Sequence, residues 1–319
     1  MSAETIVRVD DITLAPGCRD EFVDVLRSKY VPGASARRLE LVDIVLAPPV
    51  DDPALESDVI VTWRLADIDT FWQARRAAMM DPTVGSFWRD TADIVVRRTR
   101  RFAQAEPAFT PIDDSAAEPL PSNGIHHIVL MATDDAEVAV TPPDQVRRSA
   151  FGRHLPGSVG APDASWEFDA EDLVPIGTAN VKGAEVVDVV LLGDVIGSGA
   201  RAPRIQDAVK RTLLLKVEES APLAAVSAFE RDLLGMPRHI PAIRNWRLAR
   251  VGSSEGGWTH AWEQEYAELA GLRHDYMRSP YHWSVVDGWF DAEDPRSIVR
   301  PELLHLFYET PSSVLAAVT

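Results

Sequence analysis

The sequence predicts an α+β fold made of tandem ferredoxin-like repeats that close a dimeric-type α+β barrel within one chain. Two observations predict it. The strand and helix signals run β-α-β-β-α-β over residues 1–104 and run in the same order again over residues 211–319. A sheet of that kind carries its helices on one face, so the bare face must meet a second sheet. A chain of 319 residues has the length for both copies.

The first copy begins with Thr5 to Leu14, which alternates as a strand does and is broken at Pro16-Gly17. Arg19 to Tyr30 repeats at helical spacing, with Phe22, Val23, Leu26 and Tyr30 on one face, and Pro32-Gly33 is expected to end that helix. Arg38 to Leu46 and Val59 to Leu65 read as strands and Asp67 to Arg76 as a helix resuming toward Phe87-Trp88. Ile94 to Phe102 reads as the closing strand. Residues 105–122 are rich in Pro, Ala, Asp and Glu without periodicity, which marks a linker.

Residues 123–210 form a central segment, either a degenerate third unit or a cap on the barrel. Gly124 to Met131 reads as a strand on which His126 and His127 point to opposite faces, so they do not readily chelate one metal. Gln145 to Phe151 reads as a short helix, Ser165 to Phe168 as a strand, and Gly183 to Leu192 as a buried strand. Gly193, Gly197 and Gly199 follow without the Lys and Ser/Thr of a phosphate loop, which favours a turn.

The last copy opens with a strand over Arg211 to Val217. An amphipathic helix follows over Pro222 to Leu234, stopped by Gly235-Met236-Pro237. Ile243 to Val251 and Trp258 to Tyr266 form a hairpin, Asp275 to Phe290 reads as the second helix, and Leu303 to Glu309 as the last strand.

Composition narrows the function. A formal net charge of -17 argues against nucleic acid and anionic membrane surfaces as partners. The single cysteine, Cys18, excludes an intrachain disulfide and a cysteine-based zinc site. No apolar signal core opens the chain and no apolar run approaches the ~20 residues of a membrane span, so a cytoplasmic protein is expected.

Chemistry concentrates in Tyr276-Met277-Arg278-Ser279-Pro280-Tyr281-His282. An imidazole exchanges protons near neutral pH, and a phenol can donate to a developing enolate. Pro280 restricts Ser279 to an extended conformation, which bends the segment between the two groups. In the first copy Ala78 and Val84 stand at the matching places around Pro82, so that copy lacks the chemistry. His260, Trp262, Gln264 and Tyr266 share one face of their strand, and His305 lies on the last strand. Trp283 and Trp289 add flat apolar surface suited to an apolar or aromatic ligand.

The Leu213-Leu214-Leu215-Lys216-Val217 opening, the Tyr276…Pro280…His282 spacing and the Leu303 to Glu309 strand resemble the stress-responsive A/B barrel (Dabb) family. The strand opening at His126-His127 is similar to the family's first strand as well. The resemblance implies His282 as base with Tyr276 as its partner, in a cofactor-free lyase, isomerase or cyclase reaction on a carbonyl compound. A plant member of the family uses the matching tyrosine and histidine for an aldol closure. It has a further histidine where Ser279 stands here, and its opening-strand histidine is matched near Arg211. His260, Trp262, Trp283, Trp289, His305 and Arg211 are the expected substrate-binding residues. No cofactor or metal is expected. Haem held through histidine, or a non-catalytic ligand-binding module, is the alternative, and a homodimer is open to the fold.

Overall fold

The computed structural model describes residues 4–316 apart from 51, 82–83, 106–109, 122–123, 136, 161 and 178. Pro82 and Thr83, the proline turn of the first copy, and parts of the linker lie outside the described residues. The fold is α+β, and the chain divides into two compact units. Among the described residues no helix is long and apolar enough to cross a membrane.

The first unit comprises Met1–Phe109 with Trp283–Ser297. It contains β1 (Ile6–Leu14), α1 (Arg19–Val25), α2 (Val31–Ala36), β2 (Glu40–Ala47), β3 (Ser57–Leu65), α3 (Ile68–Met80), α4 (Ser86–Asp90) and β4 (Val95–Gln104). The sheet order β2-β3-β1-β4 is that of a ferredoxin-like fold. Along β1, Ile6, Arg8, Asp10 and Ile12 are buried while Val7, Val9 and Asp11 are half-buried, the period of a sheet covered on one face. Pro32-Gly33 does not end the helix. A π-helical turn at Leu26–Tyr30 leads into α2, and Pro32 sits at its opening, where a missing N–H is tolerated.

Buried charges as well as apolar groups hold this unit together. Asp10 accepts from Arg8 Nε (3.0 Å), Arg100 Nε (2.7 Å) and Trp63 Nε1 (3.0 Å). Burial alone would raise its carboxyl, yet the two guanidinium groups hold it down at about 2. Segment 283–297 joins the same network, Asp287 and Asp291 meeting Arg75 at 2.6 and 3.0 Å and Glu293 meeting Arg37 at 3.1 Å.

The second unit comprises Thr110–His282 with Ile298–Thr319. Its strands are β5 (Ile125–Ala132), β6 (Ala139–Val140), β7 (Val146–Arg153), β8 (Ala164–Ala170), β9 (Val181–Lys182), β10 (Glu185–Ala200), β11 (Gln206–Val217), β12 (Ile243–Ser253), β13 (His260–Tyr266) and β14 (Val299–Ser312). One long helix, α5, spans Leu223–His239. Eight of the strands form one sheet in the order β14-β11-β13-β12-β10-β5-β8-β7. Each half of that order reads fourth, first, third, second strand of its own segment. The central segment is thus a second ferredoxin-like sheet, with no helix among its described residues. The C-terminal copy is joined edge to edge, through β12 and β10, to this helix-free sheet. The N-terminal copy, expected to supply a half-barrel, keeps a four-stranded sheet of its own.

The two edges of the eight-stranded sheet come together in a nearly closed barrel. Leu155 N–H donates to Phe307 O (2.9 Å), and Val159 and His305 exchange backbone bonds at 2.8 and 2.9 Å. Gly152 on β7 lies against the Tyr308 ring on β14, where a Cβ would overlap it. Inside, one end is apolar, with Ile128, Leu130, Val190, Leu214, Ala261 and Leu306 in contact. The other end is ionic, built on Lys210, Glu167 and Glu263.

Four local expectations are corrected. Val146 to Phe151, expected as helix, lies in strand β7, paired along β8, because so short a segment does not by its period distinguish the two. Gly197 and Gly199 lie within β10 rather than in a turn, since Leu234 and Trp246 fill the space their side chains would need. The helix α5 passes Gly235 and Pro237 and ends at His239. Asp275 to Phe290 is broken into π-helical and 3-10 turns, with the break at Ser279 before Pro280.

Closure at Gly152 is testable. Gly152→Ala should lower the denaturation midpoint by the equivalent of about 1–3 kcal/mol through overpacking. Gly177→Ala, with nothing within 4 Å, should leave it unchanged. Equal midpoints for the two variants would contradict the close approach of β7 to β14.

Candidate functional site

Pairing in the second unit sets which side chains meet. On β11, Arg211 lies opposite Gln264 of β13 and Phe307 of β14, while Leu213 lies opposite His305. Strand alternation puts Arg211, Gln264, Tyr266, His305 and Phe307 on the face away from the lumen. Tyr276 ends the π-helical turn Gly271–Tyr276, and His282 begins the next at His282–Val286. Single π turns are rare in helices and frequent at functional sites.

Arg211 is 4% exposed. Its Nε donates to His305 Nε2 at 2.7 Å, and its Nη1 donates to Gln264 Oε1, which also accepts from Tyr266 OH at 2.8 Å. The guanidinium carbon lies 4.8 Å from the centre of the Tyr276 ring, which is itself 4.2 Å from the His282 ring. Among the described residues no carboxylate lies within ion-pair distance of Arg211. A buried cation whose hydrogen bonds end on neutral groups is costly and keeps an unspent attraction for an anion.

The imidazoles respond to that charge. Burial first, then Arg211, push the His282 imidazole down to about 3, while its contact with the Tyr276 carbonyl pulls weakly the other way. His305 falls well below the ordinary range through burial, Arg211 and His282. Both rings are neutral at pH 7. His282 Nδ1 lies 3.1 Å from Tyr276 O, an acceptor, which assigns the proton to Nδ1 and makes Nε2 the unprotonated ring nitrogen. Two buried donors nearby in the sequence of β13, Gln264 Nε2 and Trp262 Nε1, have no hydrogen-bond partner, nor does Ser279 Oγ.

The structure thus brings together Arg211, Tyr276, His282 and His305 and adds Gln264 and Tyr266, which sequence reasoning did not assign to the site. It does not bring His260 to them. His260 sits four residues from Gln264, roughly 13 Å along the strand, with Nε2 on Glu230 (3.2 Å) and its ring against Phe229. Trp283 and Trp289 belong to the first unit, where Trp283 packs on Phe71 and Phe102 and Arg296 lies over Trp289. His260 therefore has another role than lining this cluster.

Of the opening-strand histidines, His127 stacks on Phe168 and accepts from Val174 N–H, whereas His126 faces the lumen. A cavity of about 270 Å³ in this unit is lined by His126, Arg148, Glu167 and Asp169 and by none of the residues around Tyr276. The lumen charges Lys210, Glu167 and Glu263 were not singled out in the sequence. Closure of a barrel, which buries both faces, has no local signal in the sequence.

A depressed histidine has a definite sign in folding. The unfolded imidazole titrates near ~6.5 and the folded one at about 3, so the stability it contributes is present above pH ~6.5 and is lost as pH falls between the two. His282→Gln should therefore lose up to about 2–3 kcal/mol less than the parent protein between pH 6.5 and 4.5, read by urea denaturation. Parallel pH curves for the two would contradict the placement of His282.

Among curated proteins none matches the sequence. Similar solved structures include a NIPSNAP family protein from Agrobacterium tumefaciens, 14% identical, covering 33% of this chain and 90% of that one at a TM-score of 0.28. A candidate monooxygenase from Lactobacillus acidophilus is 9% identical and covers 98% and 99% at 0.22. A staphylococcal regulator of pathogenesis is 13% identical and covers 51% and 97% at 0.30. TM-scores this low carry no statement about activity. The sequence itself is more specific: at residues 209–299, the span that holds Arg211, Tyr276 and His282, the chain matches the Dabb family, the stress responsive A/B barrel domain.

Proposed function

We propose that the second unit is a cofactor-independent acid–base enzyme of the lyase, isomerase or cyclase type, acting on a small apolar or aromatic carbonyl compound through its enolate. The observation that carries this reading is the buried Arg211 guanidinium without a counter-anion, set among neutral imidazoles. A substrate carbonyl placed against Arg211 and Gln264 Nε2 becomes more acid at its α carbon, because the charge that develops on oxygen settles beside a preorganised cation. His282 Nε2 takes the α proton, and the C–H electron pair moves into the enolate.

The low basicity of His282 in the free protein fits this sequence of events. Arg211 is one of the two causes that lower it. An enolate against Arg211 cancels that repulsion, so the imidazole gains basicity as the anion forms, and the imidazolium–enolate pair is held by opposite charges. The Tyr276 ring, itself buried, lies beside both groups. Burial of the cluster favours an apolar or aromatic substrate body.

Benzoylacetone, an aromatic 1,3-diketone whose enolate absorbs strongly, is a direct probe. The protein should raise the enolate fraction at pH 7 and speed deuterium exchange at the central carbon. Arg211→Met should lose enolate binding by at least tenfold, and His282→Ala should keep binding but lose exchange. Binding without exchange in the parent protein would make it a carrier instead, and undiminished enolate binding by Arg211→Met would refute the reading.

Pairing of two copies belongs to the same proposal. The edges of the first unit's sheet, β2 and β4, carry the exposed Val42, Val45 and Val96. Sedimentation equilibrium should give twice the chain mass; a monomer at micromolar concentration would exclude it.

A further inference from the structure

We propose that the barrel seam between β7 and β14 is a docking site for an extended, uncharged segment of another protein chain, which adds there as a strand. The two strands stand first and last in the order of the eight-stranded sheet, so each has one edge without a neighbour in that order. Such an edge presents a row of unpaired N–H and C=O groups. Backbone bonds close the seam where Leu155 meets Phe307 and Val159 meets His305. Among the described residues none joins 146–152 to 309–312.

The cavity of about 270 Å³ lies in that open stretch, lined in unbroken runs by residues 148–151 of β7 and 310–314 at the end of β14. Side chains alternate between the two faces of a strand, so consecutive residues of two strands line one cavity where it runs along their edges. Ser149, Pro311 and Ser312 are exposed, and the seam reaches solvent there. Both ends of the opening are fixed. At one, Gly152 lies against the Tyr308 ring. At the other, Arg148 Nη1 donates across the seam to Leu315 O at 2.9 Å. The step from Arg148 to Gly152 is roughly 13 Å at ~3.3 Å per residue, room for about three residues of extended chain.

Charge and size select the occupant. Arg148 is engaged by Asp169 and Leu315, Asp169 also meets His126 Nδ1 at 2.7 Å, and Glu167 lies 3.0 Å from the Lys210 ammonium. A charged chain terminus would find no free counter-charge beside it, so the segment is interior to its own chain and binds through its peptide groups. Strand alternation puts Ala150 and Thr310 on the lumen side with Gly152 and Tyr308, in front of the ionic cluster, and a residue inserted there has a small side chain. Its neighbours in the segment point outward beside Phe151, which packs on the apolar cluster of Trp166 and Phe168, and are apolar.

Titration of the full chain with acetyl-Val-Ala-Val-amide, followed by amide proton–nitrogen NMR, tests this. The amides of residues 148–151, 309, 310 and 312 should shift saturably and exchange more slowly with deuterium. A strand inserted between two edges uses every N–H, so methylating the alanine nitrogen of the peptide should weaken binding about tenfold or more, as should leaving both termini free and charged. Ala150→Phe, which fills the opening, should abolish binding while benzoylacetone enolate binding at Arg211 is retained. The proposal would be overturned by the absence of a saturable shift at these amides, or by equal binding of the N-methylated or the zwitterionic peptide. Slowed exchange that appears without peptide as protein concentration rises would place a second copy in the seam and overturn it as well.

Discussion

An uncompensated buried cation organises the candidate site of the second unit. Arg211 is buried on the outer face of β11 and bonded only to neutral acceptors, His305 Nε2 and Gln264 Oε1. Placing a guanidinium there costs several kcal/mol that packing elsewhere must offset. Burial first and then this charge keep His282 and His305 neutral, the Tyr276 ring lies over the cation, and the amide nitrogen of Gln264 is left without a partner. Electrostatics of this kind act on an anion that forms during reaction more than on a neutral ground state.

The first unit shows the same position with the charge cancelled. Arg8 on β1 lies opposite Trp63 and Phe102, much as Arg211 lies opposite Gln264 and Phe307. Asp10 and Glu293 sit on Arg8 at 2.8 and 4.0 Å. Its electrostatic attraction is spent inside the protein, and that copy reads as a scaffold. In the lumen a third arrangement appears, in which Lys210 is charged at 0% exposure because two carboxylates and Thr212 surround it. One skeleton thus carries a paired cation, an unpaired cation and a balanced cluster, and only partners supplied by other elements set them apart.

Strand order and most element boundaries were legible in the sequence, because alternation along segments such as Val59–Leu65 and Trp258–Tyr266 reflects burial of one face. Tyr276, His282, Arg211 and His305 were legible as candidates through their residue types and the Dabb-like spacing, though not their mutual geometry. What the sequence hid was long-range pairing. Nothing local tells β10 to bond to β12, and glycines that serve Leu234 and Trp246 look like a turn when read alone.

The central claim is that Arg211 waits for an anion from outside the chain. Crystals grown with 4-bromobenzoate test it most directly, since the bromine marks the ligand by anomalous scattering. The account predicts a carboxylate bridged to the Arg211 guanidinium, with the aromatic ring beside Tyr276 and His282. A crystal structure with Arg211 turned onto one of the protein's own carboxylates, and no bromine beside it, would contradict the account.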